Sequence, residues 1–179
     1  IHSCNYYHVP NQEKLAAKLV ELSGMTNVFF CCTGLEANEA AIKLARKHGH
    51  TVRGIGSSSD QGPLILTAEA SFHGRTLAAV TATGQPKYHQ GFEPMVQGFR
   101  YFPYNDTAAF EALLAECEKD GPRVAAVMLE PLQGEGGVNP VDVYYLRALR
   151  THGYTVSTQD GEAAALSGLS ALANDVLAR

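Results

Sequence analysis

The sequence predicts an α/β protein with a largely parallel sheet and flanking helices. Short apolar runs, typical of buried strands, alternate along the chain with segments of helical periodicity. Strands separated by helices favour parallel pairing, with helices covering both faces of the sheet. The 179 residues are enough for one core and too few for most two-domain enzymes, so we expect one folded unit.

The first predicted elements form a helix, a strand and a second helix. Asn11 is a candidate cap for a helix through Ser23, in which three leucines share one face: Leu15, Leu19 and Leu22. The apolar run Asn27–Cys32 is typical of a buried strand. Thr33 and Gly34 then lead into a helix rich in alanine, leucine and lysine, expected to end near Gly49.

The same alternation continues through the middle of the chain. After a loop rich in glycine and serine from Thr51 to Pro63, Leu64–Ala68 has the composition of a strand, and the polar turn Ser71–Arg75 follows it. Thr107–Glu118 is predicted as a helix capped by Asp106, with an apolar face formed by Phe110, Leu113, Leu114 and Cys117. Val124–Leu129 is predicted as a buried strand.

Charge and hydropathy disfavour several classes of partner. A net charge of -4 without a cluster of lysine or arginine makes nucleic acid and membrane surfaces poor candidates, and a small molecule is expected instead. No apolar run approaches the ~20 residues of a spanning helix, and Ile1 to Pro10 lacks the pattern of a signal peptide. A soluble, cytoplasmic protein is therefore expected.

Cysteine and histidine spacings give no indication of a metal site. The four cysteines, Cys4, Cys31, Cys32 and Cys117, have no CxxC spacing and are expected to be buried free thiols. None of the seven histidines forms an HxH or HExxH pattern, so metal ligation is disfavoured.

Three segments that follow predicted strands carry candidate site residues. Thr33, Gly34 and Leu35 open a helix, where free N–H groups and the helix dipole favour an anion such as phosphate. A hydroxyl beside a glycine is also a common helix cap, so this signal is weak alone. Because ligands of parallel sheets bind where strands end, the agreement in position strengthens all three segments.

The second and third segments combine aromatic, cationic and acidic groups. In Ser71–Thr76, Phe72, His73 and Arg75 suit stacking on a planar ring and gripping a carboxylate, although a core phenylalanine and a solvated arginine are equally ordinary. Glu130 and Glu135 lie five residues apart around a glycine-rich turn. They are suited to lining a pocket and pairing with a cation, or to simple solvation, and nothing else indicates a glycosidase.

Segments Val28–Lys43, Ser71–Thr76 and Leu129–Gly137 closely resemble class III pyridoxal-phosphate-dependent aminotransferases, in the family's order and spacing. Among these the acetylornithine/ornithine group is the most similar, and the resemblance runs from about residue 2 to about residue 150. It implies part of the large domain of an aspartate aminotransferase-like fold, in a full-length protein that forms a homodimer.

The resemblance also implies roles for residues of the three segments. Six positions would bind pyridoxal phosphate: Thr33, Gly34, Leu35, Phe72, His73 and Glu130. The first three would hold the phosphate, Phe72 would stack on the pyridine ring, and Glu130 would lie beside the cofactor. Arg75 would grip a substrate carboxylate, and Glu135 would pair with an arginine that gates recognition of the amino donor.

The reaction implied for the parent protein converts N-acetylornithine, or a related ω-amino donor, and 2-oxoglutarate into a semialdehyde and glutamate, a step of arginine biosynthesis. Its partners would be small amino acid and 2-oxo acid substrates. Cys32 and Leu35 depart from the acetylornithine pattern, and a large aliphatic residue after Thr33-Gly34 is more like the ornithine branch. The substrate therefore stays open.

Residues 151–179 diverge from the family, and we expect a tail with an amphipathic helix there, distinct from the partial cofactor-binding domain of residues 1–150. None of the six lysines matches the lysine to which the family attaches its cofactor: Lys14, Lys18, Lys43, Lys47, Lys87 and Lys119. The aspartate that holds the pyridine nitrogen is also missing, so no catalytic residue is assigned. Two alternatives remain: a non-catalytic remnant that binds ligands or partners, and a decarboxylase, mutase or racemase of the same cofactor superfamily.

Overall fold

Helices and strands alternate along most of the chain in the computed structural model, which describes residues 6–23, 25–56, 62–152 and 156–157. The helices are α1 (Pro10–Ser23), α2 (Gly34–Thr51), α3 (Leu77–Ala82), α4 (Thr107–Glu118) and α5 (Val143–Thr151). The strands are β1 (Leu64–Ala68), β2 (Phe99–Phe102), β3 (Val124–Met128), β4 (Leu132–Gln133), β5 (Asn139–Pro140) and β6 (Val156–Ser157). A 3-10 turn spans Pro86–Tyr88.

A parallel sheet organises the molecule, in the spatial order β2-β1-β3-β6. β1 pairs in parallel with β2 on one side and β3 on the other, and β3 pairs in parallel with β6. All five residues of β1 are buried because helices cover both faces of the sheet. The predicted α/β class and largely parallel sheet are confirmed.

Alternate residues of β1 point into two separate cores. Leu66 lies in the core formed with α4 and α5, which includes Phe110 and Leu149. Ile65 lies in the opposite core, where Ile42 of α2 is also buried. This alternation follows from the two-residue period of a strand, and it makes β1 the central element of both layers.

Several predicted elements match the structure closely. β1 and α4 have the predicted bounds, and the Asp106 carboxylate caps α4 by accepting a hydrogen bond of 2.9 Å from the Ala109 N–H. The helix through Ser23 is present, but it begins at Pro10, so the prediction of Asn11 as its cap is wrong. Proline is favoured in the first turn of a helix because it lacks an N–H to satisfy.

The second helix extends two residues past its predicted end. Gly49 is inside α2 and buried; a Cβ there would lie 2.9 Å from the side chain of Pro63. This glycine therefore permits a close approach between the helix and the segment leading into β1, instead of ending the helix.

The predicted strand Asn27–Cys32 is wrong: these residues are not assigned to a strand, and Phe29 is 56% exposed. A strand needs a neighbour for its backbone hydrogen bonds, and this run pairs with no other strand of the described residues. The sequence also failed to predict α3, β2, α5, the antiparallel hairpin of β4 and β5, and the two-residue β6. The expected helix of the tail lies outside the described residues.

The cysteine prediction is partly wrong. Cys31, Cys32 and Cys117 are free, as expected, but Cys31 and Cys32 are exposed and only Cys117 is buried. The two exposed thiols belong to the same apolar run that fails to join the sheet. Cys4 lies outside the described residues.

No helix within the described ranges combines the length and apolar character that crossing a bilayer requires.

Replacing the residue that caps α4 tests how much this cap contributes to stability. Asp106→Ala removes the acceptor of the Ala109 N–H and should lower the free energy of unfolding by about 1 kcal/mol. Asp120→Ala, at an exposed turn, is the matched control and should change it by less than about 0.5 kcal/mol. Urea unfolding measures both variants; equal stabilities would contradict a capping role for Asp106.

Candidate functional site

The candidate site lies at the carboxyl edge of the parallel sheet, where the turn after β1 meets the loop after β3. Two glycines approach the first turn closely: a Cβ on Gly84 would lie 2.2 Å from the Ala68 carbonyl oxygen, and one on Gly136 would lie 2.2 Å from that of Ala70. No larger residue fits at either position without moving the backbone. The two glycines therefore allow three loops to converge on one edge.

Glu130 joins the ends of the two strands. Its side chain is buried, with the residue 3% exposed, and its carboxylate accepts a hydrogen bond of 3.1 Å from the Phe72 N–H. Its backbone carbonyl accepts a second one, of 2.7 Å, from the Tyr104 hydroxyl. A buried carboxylate needs such donors, so Glu130 fixes Phe72 relative to β3.

Phe72 and Arg75 lie on either side of one tyrosine. The Phe72 ring is half-buried and contacts the Tyr88 ring edge-on, with centroids 5.8 Å apart. Arg75 is exposed, and its guanidinium carbon lies 5.6 Å from the centroid of the Tyr88 ring. Within the described residues, Arg75 takes part in none of the ion pairs. Its planar donor fork is therefore available to a carboxylate from solution.

His73 points into the molecule. Its Nε2 lies 3.1 Å from the Thr67 hydroxyl, which itself donates to the Ala82 carbonyl at 2.8 Å. Since the Thr67 proton is used there, His73 Nε2 must carry the proton and donate. Burial lowers the pKa of His73 to about 4, so the ring is neutral at physiological pH. The imidazole holds the turn in place.

The start of α2 carries the first of the predicted segments. Thr33 caps the helix by accepting a hydrogen bond of 3.1 Å from the Glu36 N–H, and the Glu36 carboxylate accepts one of 2.6 Å from the Cys32 N–H. A Cβ on Gly34 would have no atom within 4 Å, so open space adjoins the first helical turn. Backbone N–H groups and the positive end of the helix dipole favour an anion in such a place.

Three contacts dock α2 on the turn after β1. The Asn38 side chain donates a hydrogen bond of 2.8 Å to the His73 carbonyl, and the Thr76 hydroxyl donates to Glu39. Leu35 packs against Gly74, where a Cβ would lie 2.3 Å from a Leu35 methyl carbon. The predicted segments around residues 33–35 and 71–76 therefore form one unit, although they lie far apart in sequence.

Glu135 lies in the turn of the hairpin and is surrounded by donors. Its carboxylate accepts hydrogen bonds from the Tyr88 hydroxyl at 2.7 Å, from the Lys87 ammonium at 3.2 Å, and from the Gln85 amide. These hydrogen bonds, that from Tyr88 first, lower the pKa of Glu135 to about 2. The carboxylate is therefore ionised throughout the physiological pH range.

The 85–88 segment (Gln85–Tyr88), which supplies these three donors to Glu135, was not predicted from the sequence. It follows α3, which was not predicted, so it lacked the strand-end position that drew attention to the other segments. The only local signal was a cluster of amide, ammonium and phenol donors around Pro86. The described residues contain no cluster of three or more histidine, cysteine or acidic side chains able to hold a metal ion.

Comparisons with known proteins give one consistent family. The model of the family described as Aminotransferase class-III matches residues 1–154. An acetylornithine aminotransferase of Parasynechococcus marenigrum (strain WH8102) is 65% identical over 149 residues, which are 83% of this chain and 34% of that protein. The chain thus spans about a third of the length of the curated relatives it matches.

Solved structures agree with the sequence comparisons. The ornithine aminotransferase of Toxoplasma gondii, described with partial occupancy of PLP at its active site, is matched with a TM-score of 0.73 and 30% identity, over 86% of this chain and 36% of that one. The N-acetylornithine aminotransferase of Stenotrophomonas maltophilia K279a is matched with a TM-score of 0.63 and 32% identity, over 87% and 35%. The fold is that of the pyridoxal-phosphate-dependent transaminases.

The buried imidazole makes stability depend on pH. An unfolded chain protonates His73 near its ordinary pKa of 6.5, whereas the folded protein does so only near 4. The free energy of unfolding is therefore highest above pH 6.5, and it falls by about 3 kcal/mol as the pH drops from 6.5 to 4.

Urea unfolding between pH 7 and 4.5 measures this dependence. His73→Gln should flatten the dependence of the unfolding free energy on pH in that window. His8→Gln replaces a side chain that is 99% exposed and should show the same pH dependence as the parent protein. Identical slopes for His73→Gln and the parent protein would contradict burial of a neutral ring.

Proposed function

Because the chain belongs to the class-III aminotransferase family, we propose that the protein is a pyridoxal-phosphate-dependent aminotransferase that transfers an amino group from N-acetylornithine, or a related ω-amino donor, to 2-oxoglutarate. One observation supports this above the others: the three segments that carry the family resemblance meet at one edge of the sheet. The choice of substrate is supported by relatives that are acetylornithine aminotransferases.

The residues at this edge fit pyridoxal phosphate. Open space beside Gly34, at the positive end of α2, suits a phosphate, and the half-buried ring of Phe72 offers a surface for a planar heterocycle. The Toxoplasma gondii relative is described as holding this cofactor. When bound, pyridoxal phosphate supplies the electron-withdrawing ring and the carbonyl carbon on which amino transfer depends.

Each residue of the edge has a part in this proposal. Thr33, Gly34 and Leu35 present the first turn of α2 to the phosphate, with Leu35 also seating the helix on Gly74. Phe72 stacks on the ring of the cofactor, and Glu130 holds Phe72 in position through its backbone N–H.

The remaining predicted residues support or complete the site. His73 is buried and acts on the cofactor only by fixing the turn that carries Phe72. Arg75 grips a substrate carboxylate with its two parallel N–H groups, and this suits both substrates because each carries a carboxylate. Glu135 pairs with an arginine of the full-length protein and so gates recognition of the amino donor, the role that the family resemblance implies.

Assay of the full-length protein tests this function. With pyridoxal phosphate, N-acetylornithine and 2-oxoglutarate, glutamate should form in proportion to the enzyme. If the folded protein formed no glutamate from 2-oxoglutarate, with N-acetylornithine or with a related ω-amino donor, the aminotransferase proposal would be contradicted. Release of carbon dioxide without consumption of 2-oxoglutarate would instead favour a decarboxylase, and no reaction with any substrate would favour the non-catalytic alternative.

Phe72→Ala tests cofactor stacking separately from turnover. Loss of the ring should weaken equilibrium binding of pyridoxal phosphate to the full-length protein roughly tenfold, corresponding to about 1.4 kcal/mol. Phe92→Ala, which removes a phenylalanine that is 61% exposed, is the control and should leave the affinity unchanged. Equal affinities of the two variants, measured by equilibrium dialysis, would remove Phe72 from the binding site.

A further inference from the structure

The 85–88 segment lies outside the three segments that carry the family resemblance. Its residues nevertheless contact two of those segments, at Ser71 and Glu135. The Gln85 amide donates to the Ser71 carbonyl at 3.0 Å and also to the Glu135 carboxylate. It therefore ties the hairpin of β4 and β5 to the turn after β1. Lys87 and Tyr88 both donate to the same carboxylate oxygen of Glu135, Oε1.

Tyr88 contacts all three of the residues to which stacking, carboxylate binding and donor recognition are assigned. Its ring meets Phe72 edge-on, with centroids 5.8 Å apart, and lies 5.6 Å from the guanidinium carbon of Arg75. Its hydroxyl donates to Glu135 at 2.7 Å. One side chain thus fixes the relative positions of an aromatic ring, a cation and an anion.

Lys87 lies where it balances the charge of Glu135. Its ammonium is 3.2 Å from the carboxylate and 4.9 Å from the centroid of the Tyr88 ring. The hydrogen bond to Glu135 raises the pKa of Lys87, so the ammonium stays charged. Two cations, Lys87 and Arg75, and one anion, Glu135, contact Tyr88. Without Lys87 the formal charge of this group would fall from +1 to 0.

The two substrates respond differently to the loss of this cation. 2-Oxoglutarate carries two carboxylates and loses an attraction, whereas N-acetylornithine carries one carboxylate and one ammonium and has no net charge. Attraction or repulsion between charges several ångström apart near a protein surface is worth about 1 kcal/mol, enough for a severalfold change in affinity.

We propose that Tyr88 is a positioning residue that holds Glu135, Arg75 and Phe72 in one arrangement, and that Lys87 determines acceptance of the dianionic 2-oxo acid by neutralising Glu135. The inference rests on the proposed aminotransferase function and names a determinant of its acceptor specificity. Neither residue transfers a proton or forms a bond with a substrate.

Lys87→Met in the full-length protein loaded with pyridoxal phosphate tests the charge assignment. KM for 2-oxoglutarate should rise about fivefold, KM for N-acetylornithine should change less than about twofold, and kcat should stay near the parent value. Lys87→Arg keeps the charge and should restore the KM. Lys119→Met, at an exposed lysine after α4, is the matched control. Equal rises in both KM values, or no restoration by arginine, would overturn the assignment.

Two tyrosine variants separate the hydroxyl from the ring. Tyr88→Phe removes the donor to Glu135 but keeps the contacts with Phe72 and Arg75, so only the KM values should change, by about threefold. Tyr88→Leu removes both and should also weaken cofactor affinity severalfold, measured by equilibrium dialysis. Circular dichroism identifies a variant that fails to fold. If folded Tyr88→Leu binds the cofactor like the parent protein, Tyr88 does not position Phe72.

Equilibrium binding separates failure of this inference from failure of the proposed function. Titration calorimetry with 2-oxoglutarate needs no turnover, and Lys87→Met should bind it about fivefold more weakly than the parent protein. If the parent protein forms no glutamate but the affinity still falls, the aminotransferase proposal fails and the role of Lys87 stands. If glutamate forms and neither the affinity nor the KM changes, the role of Lys87 is wrong.

Discussion

The hydrogen bond between the Phe72 N–H and the buried Glu130 carboxylate is the contact on which the candidate site depends. It connects the turn after β1 to the end of β3, two neighbouring parallel strands whose carboxyl ends meet at one edge. A carboxylate that is 3% exposed needs donors, because desolvation without them would cost several kcal/mol. The same bond therefore stabilises the loops and places the Phe72 ring at the surface.

Two groups of polar residues surround this hydrogen bond. Beneath it, His73 and Thr67 form a buried network that holds the turn, and the His73 ring is neutral at physiological pH. Above it, Tyr88 joins Arg75 to Glu135, whose pKa is lowered to about 2 by hydrogen bonds. Burial therefore keeps the His73 ring neutral, whereas hydrogen bonds keep the Glu135 carboxylate ionised.

Local signals in the sequence predicted the elements that local physics determines. The cap at Asp106 and the apolar face through Phe110 predicted α4 with its bounds, and the apolar run of β1 did the same for that strand. β2 has the sequence Phe-Arg-Tyr-Phe, and the exposed Arg100 breaks the apolar run by which a buried strand is recognised. Its position in the sheet is determined by its pairing with β1. Conversely, Asn27–Cys32 has strand composition and no partner strand among the described residues.

The site shows the same division between local and long-range information. Residue types and a family resemblance singled out Phe72, Glu130 and the start of α2, although the strand expected before α2 is not formed. The contacts of Glu135 with the 85–88 segment cross about fifty residues of sequence, as the separation of 47 between Tyr88 and Glu135 illustrates. No local pattern encodes such a contact, so only the folded chain reveals the positioning role of Tyr88.

A crystal structure of the full-length protein with pyridoxal phosphate tests the assignment of this sheet edge most directly. The phosphate should lie against the first turn of α2, within hydrogen-bond distance of the Gly34 and Leu35 N–H groups, and the pyridine ring should stack on Phe72. A cofactor bound elsewhere, or a ring with no contact to Phe72, would contradict the assignment of the α2 start and the Phe72 turn as a cofactor site.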